Sequence, residues 1–240
     1  MSVKQFTCIF FDWDLTLVRV LGDISPEERL TALFQREGLP YTLREVQNAV
    51  RCYRADVQAG KIKRPQNQQT QREIARYYQD ILARLSHRDR DWERAVHLYN
   101  AYAFLPQLPY EETRPVLQTL RTKGVKLGVI SNHSRLIRPV IERIVGEAVD
   151  PHLIIISQEM GVHKPAGTIF HQAMARAQAT AAACIFVGDH LSVDALGAVE
   201  KGGFGLGLWL DRQGKENGQT AVLPPNVDRI TSLWQVLNYV

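Results

Sequence analysis

Asp12 and Asp14 stand one residue apart in FFDWDLTL, Phe10 to Leu17, at the exit of the apolar run Phe6 to Phe11. That run has the length and aromatic content of a buried strand. Side chains alternate along an extended chain, so both carboxylates can project toward one site above the strand end while Trp13 turns away. An Asp after a strand also starts turns through its own side-chain hydrogen bonds. Two acids and Thr16 within five residues instead point to clustered anions that need a counter-group elsewhere in the chain.

The rest of the chain supplies such groups at the ends of its other strand-like runs. Val125 to Ile130 leads into Ser131 and Asn132, Leu153 to Ile156 is followed by a loop with Lys164, and Ala183 to Val187 runs into Asp189 and Asp194. Gly205 to Leu210 reads as a fifth strand. Helical stretches near 111–123, 135–145, 167–178 and 193–201 separate these runs. Alternation of this kind predicts an α/β fold, a Rossmann-like parallel sheet covered by helices. In such a sheet ligands bind at the C-terminal strand ends, where all of these residues fall. Several acids at one edge repel unless a hard cation neutralises them, and oxygen ligation with room for water favours Mg²⁺. Lys164, the Ser131 hydroxyl and backbone N–H groups around Trp13 to Leu15 suit a phosphate.

Residues 19–105 follow a different grammar. Ser25 with Glu28, and Thr42 with Glu45, carry capping-box signals, predicting helices over Pro26–Glu37 and from Thr42 to about Val57. Further helices are expected over 66–85 and 91–104, the latter with Trp92, Ala95, Leu98, Tyr99 and Tyr102 as core positions. This stretch reads as an all-helical insertion, leaving residues 1–18 and 106–240 as a discontinuous α/β domain.

At 240 residues and 45% hydrophobic, the chain can bury a substantial core. No run approaches the roughly 18 apolar residues of a membrane span, and Asp12 interrupts any leader-like segment, so no membrane partner and a cytoplasmic location are expected. Cys8, Cys52 and Cys184 form no CxxC pair, which suits a reducing compartment, and the strand positions of Cys8 and Cys184 read as buried thiols. Of the net charge of +4, the stretch from Arg44 to Arg94 carries twelve basic against seven acidic residues. Their dispersal among acids and Gln reads as a solvated surface or an attraction for a small anionic substrate, and no nucleic acid is expected.

The four segments DWDLT, VISN, HKP and GDHLSVD occur in the order and at the strand ends of the haloacid dehalogenase superfamily, which the chain resembles over nearly its whole length. The insertion looks like that family's C1-type helical cap. The resemblance implies a Mg²⁺-dependent phosphatase acting on a small phosphorylated metabolite such as phosphoglycolate, a sugar phosphate or a nucleoside monophosphate. It implies Asp12 as the nucleophile that becomes an aspartyl phosphate and Asp14 as general acid and base. Ser131, Asn132 and Lys164 would bind substrate. Metal would be held by the Asp12 carboxylate, the Asp14 carbonyl and Asp189, with Thr16 and Asp194 in support. A phosphomutase or a 2-haloacid dehalogenase shares the family, and Asp14 counts against the latter. A non-catalytic anion-binding protein is the alternative outside enzymes, and a monomer or homodimer is expected.

Some features stay open at this level. Leu15 stands where such sequences often have Gly. His133, His163 and His190 adjoin motif residues without a short metal signature, and read as polar lining or support. Glu159 would pair with Lys164 or cap its loop. Gly202, Gly203, Gly205 and Gly207 fall before a late strand, which assigns them to turns and close packing rather than to a dinucleotide fingerprint. Lys61, Lys63 and Arg64 read either as a solubilising turn of the helical insertion or as candidates for holding a second anionic group of the substrate.

Overall fold

The computed structural model describes residues 6–62, 71–86, 88, 91–212 and 222–240. The chain divides into two compact units, Met1–Arg19 with Leu108–Val240, and Val20–Gln107. The composition pattern places its two boundaries at 18/19 and 105/106, where the contact pattern divides the chain at 19/20 and 107/108.

The discontinuous unit holds a six-stranded sheet. Its strands are β1 (Cys8–Phe11), β4 (Lys126–Ser131), β5 (Ile154–Ile156), β6 (Cys184–Gly188), β7 (Leu206–Leu210) and β8 (Val227–Ile230), in spatial order β5-β4-β1-β6-β7-β8. Every pairing is parallel. The strand order reverses beside β1: the chain first builds outward through β4 and β5, then returns to lay β6, β7 and β8 on the other side. Such a switch opens a crevice at the carboxyl ends of β1 and β6.

All four residues of β1, CIFF, are buried, as are all five of β6 and β7. Near-continuous apolar runs are what interior strands of a parallel sheet require, because both faces are covered. β8 is the strand the sequence pattern does not announce: its four residues, VDRI, bury only the two ends. Short strands β2 (Val18–Val20) and β3 (Gln107–Pro109), where the chain leaves and re-enters this unit, pair as a two-stranded ribbon.

Helices α5 (Thr113–Thr122), α6 (Arg138–Val145), α7 (Ser157–Met160) and α8 (Gly167–Ala177) connect the strands. The helix expected over 193–201 is realised as a π-helical turn, Gly197–Lys201. Gly202, Gly205 and Gly207 pack so tightly that a Cβ would lie 2.4–2.6 Å from carbonyl oxygens of Ala198, Ala182 and Ala195, while Gly203 takes φ +73°. These are the close-packing and turn roles expected of them. Cys8 and Cys184 are buried neighbours on β1 and β6, and both are free thiols.

The second unit is helical: α1 (Pro26–Arg36), α2 (Leu43–Gln58), α3 (Gln71–Arg84) and α4 (Trp92–Ala101). Both capping boxes form, Ser25 with Glu28 and Thr42 with Glu45. The amphipathic faces meet in one core that includes Leu33, Phe34, Val46, Tyr53, Leu82 and Leu98, with Trp92 and Tyr102 packed half-buried against it. Of the expected third helix, residues 66–70 lie outside the described residues, as do Lys63 and Arg64. Lys61 pairs with Asp56 at 3.2 Å. Among the described residues no helix is long and apolar enough to cross a membrane.

Candidate active site

The carboxyl ends of β1 and β6 bring Asp12, Asp189 and Asp194 together: one carboxylate oxygen of each lies within 4.8 Å of the others. Asp12 follows β1 directly and Asp189 follows β6 directly, so the two neighbouring strands at the switch point deliver them side by side. Asp194 reaches back over Gly188, where a Cβ would stand 2.4–2.5 Å from three of its side-chain atoms. Glycine at this position is therefore a condition for the cluster.

Lys164 is the counter-charge. Its Nζ donates to Asp12 Oδ1 at 2.5 Å and to Asp194 Oδ1 at 2.7 Å, and it lies 5.0 Å from the centre of the Phe186 ring. The residue is only 4% exposed. Asn132 holds its backbone on both sides, donating from Nδ2 to the Lys164 carbonyl and accepting the Lys164 N–H at Oδ1. The Asn132 amide is thereby committed to positioning Lys164, a role that motif order alone does not disclose. Ser131 ends β4 with its side chain buried.

Thr16 ties the two acid-bearing segments together. Its hydroxyl donates to Asp12 Oδ2 at 3.3 Å and accepts the Asp189 N–H at 3.1 Å. The Asp189 carbonyl in turn accepts Trp209 Nε1–H at 3.0 Å. Asp14 lies close enough to Asp189 for its charge to act on that carboxyl. Leu15, between Asp14 and Thr16, adopts φ +62°, the left-handed region that Gly takes without steric cost.

The electrostatics record the crowding. Burial pushes Asp12 up to about 6, against the opposing pull of Lys164. Asp189 is pushed up to about 8 by burial and by the charges of Asp12 and Asp194. The Lys164 ammonium pays for desolvation, but the two aspartates outweigh that loss and raise it above the usual lysine range. Carboxylates that resist ionisation together form a hard-oxygen set suited to a small divalent cation. Within that set the division of labour is visible. Asp194 spends Oδ1 on Lys164 and Oδ2 on the His190 N–H, so it suits anchoring the lysine, whereas Asp189 contributes a carboxylate oxygen to the cluster.

His133 and His163 are buried, and burial pushes His133 down to about 4 despite a backbone hydrogen bond involving Ser134. His190 is exposed, with Nδ1 3.4 Å from Ser192 Oγ. Of the two readings of Glu159, the pairing with Lys164 is not formed: its carboxylate is taken bidentately by Arg138, at 2.8 and 2.5 Å. Arg138 also donates to the carbonyls of Pro151 and Ile154, which explains why the acid is drawn to that side of its loop.

A parallel sheet with carboxylates and a lysine gathered at its switch point defines a Rossmann-like α/β protein with a charged cluster at the carboxyl ends of its strands. The chain belongs to the haloacid dehalogenase-like hydrolase family, which it matches over residues 6–202. It is 33% identical over 114 residues to a glyceraldehyde 3-phosphate phosphatase of Methanopyrus kandleri, covering 45% of this chain and 46% of that protein. It is 31% identical over 109 residues to a ribulose-1,5-bisphosphate 5-phosphatase of Halopiger xanaduensis, covering 43% and 45%. The matched region spans about half the length of these curated relatives. Among solved structures, a HAD hydrolase of Bacillus subtilis bound to magnesium superposes with a TM-score of 0.71 at 18% identity, covering 98% of both chains. An L-2-haloacid dehalogenase gives 0.65 at 20% identity, covering 98% of this chain and 99% of that one. These two likenesses concern the fold.

Proposed function

We propose that this protein is a Mg²⁺-dependent phosphatase of small phosphomonoesters, with Asp12 as nucleophile and Asp14 as general acid and base. The observation that carries the reading is the pairing of Lys164 Nζ with Asp12 Oδ1 inside a buried acid cluster, with a second aspartate two residues along the same loop. Phosphoryl transfer asks mainly for alignment and for neutralisation of oxygens. Lys164 supplies a fixed positive charge beside the attacking carboxylate, and Thr16 orients that carboxylate from its other oxygen. The Asp12 and Asp189 carboxylates with the Asp14 carbonyl are the groups to hold Mg²⁺, which when bound supplies charge neutralisation for the carboxylates and the phosphoryl oxygens.

In the first half-reaction an Asp12 oxygen forms a bond to phosphorus as the ester P–O bond breaks. Asp14, as its carboxylic acid, gives its proton to the leaving alkoxide. In the second half Asp14, now a carboxylate, removes a proton from water, whose oxygen attacks the aspartyl phosphate, releasing phosphate and restoring Asp12. Asp14 also argues against carbon–halogen chemistry, where no leaving-group proton is needed. The names of the curated relatives support a phosphorylated sugar as the substrate class.

The test is phosphate release from a panel of triose, pentose and hexose phosphates and phosphoglycolate, with and without Mg²⁺, with Asp12→Asn in parallel. Release that requires Mg²⁺ and vanishes in the folded variant is expected. Undiminished release by Asp12→Asn, or release of halide from a 2-haloacid without Mg²⁺, overturns the reading.

A further inference from the structure

We propose that Arg212 is a positioning residue for the acid-bearing loop, clamping it by its backbone carbonyls; the kinetic part of this inference rests on the phosphatase reading. Arg212 lies two residues beyond β7, nearly two hundred residues from the loop it holds. Its Nη2 donates to the Thr16 carbonyl at 2.9 Å and its Nε to the Leu15 carbonyl at 3.3 Å. Its Nη1 donates to Glu112 Oε1 at 2.5 Å, and the guanidinium carbon sits 3.7 Å from the centre of the Tyr110 ring.

The position of the clamp gives it leverage. Thr16 is gripped at its carbonyl by Arg212, while its hydroxyl aligns Asp12 and caps the Asp189 N–H. Leu15 is held in the left-handed conformation, which sets the direction of the Asp14 peptide beside it. The next carbonyl, that of Leu17, accepts Thr113 Oγ1–H and the Tyr110 N–H, so three consecutive carbonyls are held from outside the loop. Arg212 is itself braced. Glu112 accepts from Ser232 Oγ at 2.7 Å and the Leu233 N–H at 3.1 Å. Burial works against the charge of Glu112, but these bonds and Arg212 outweigh it and hold the carboxyl below its usual range. A planar fork spans two carbonyls and a carboxylate at once while stacking on a ring; a lysine ammonium does not.

The experiment compares the parent protein with Arg212→Lys, Arg212→Met and Ser232→Ala. Ser232→Ala removes a bond to Glu112 but leaves the donors to Leu15 and Thr16 in place. Amide hydrogen exchange is followed over residues 10–18 in metal-free protein, together with kcat and KM on the best ester. Both Arg212 variants are expected to exchange at least about tenfold faster in this loop and to lose at least about tenfold in kcat with KM little changed. Ser232→Ala is expected to lower the melting temperature while loop exchange stays within about twofold of the parent. Loop protection retained in folded Arg212→Met overturns the inference, as does equal loosening by Ser232→Ala. If the parent releases no phosphate from any ester, the phosphatase reading fails and the exchange comparison still decides the clamp.

Discussion

Lys164 Nζ and Asp12 Oδ1 meet at 2.5 Å although 152 residues separate them in sequence, and the lysine side chain is only 1% exposed. The same ammonium holds Asp194 at 2.7 Å, so one cation offsets two buried anions. Removing it leaves both carboxylates desolvated and facing each other. Breaking a buried pair in this way costs about 3–5 kcal/mol. Lys164→Ala is therefore expected to lose that much stability in urea unfolding of the metal-free protein at neutral pH, and to lose turnover. Lys164→Ala combined with Asp194→Asn should regain part of the stability, because the second anion is gone, without regaining turnover. A double variant no more stable than the single one would show that the two aspartates do not share the lysine energetically.

The acid-bearing edge of the sheet is legible from residue order because each strand in a parallel sheet ends on the same side, and apolar runs reveal where strands stop. Asp12, Ser131 and Asp189 are located by that rule. What is not legible depends on contacts that no local pattern encodes. The Asn132 amide spends itself on the backbone of Lys164, and Glu159 goes to Arg138 because carbonyls of Pro151 and Ile154 fix the guanidinium nearby. β8 escapes notice because a four-residue strand with two exposed central residues has too short a period to detect. Arg212 reads as an ordinary charged residue until the fold brings it to Thr16.

His133 gives a pH prediction. Burial holds its folded-state value at about 4, against an ordinary value of 6.5 for the unfolded chain. Between those values the unfolded chain binds more protons, so this residue's contribution to stability is present above pH 6.5 and is lost as pH falls toward 4. At about 1.4 kcal/mol per unit the full effect is on the order of 3 kcal/mol. Asp12 and Asp189, both raised, act in the opposite sense: they favour the metal-free fold at low pH and lose that contribution as pH rises through about 6 and 8. The parent curve is the sum of opposing slopes. The measurement is therefore the difference in unfolding free energy between His133→Gln and the parent from pH 4 to 7.5. The parent's advantage should shrink as pH falls through that window; a difference independent of pH excludes the titration of His133.

Leu15 makes the loop's backbone requirement measurable. A left-handed conformation costs a non-glycine residue roughly 1–2 kcal/mol, and β-branched residues tolerate it least. Glycine removes the strain but restores roughly 0.5–1 kcal/mol of chain entropy to the unfolded state. Leu15→Gly is therefore expected to be as stable as the parent or up to about 1 kcal/mol more stable. Leu15→Val should be less stable than both, with faster exchange of the Val18 N–H, which Trp13 O accepts within the same turn. Chemical denaturation of the three proteins tests the order. If valine proves as stable as glycine, φ +62° is not what this position demands.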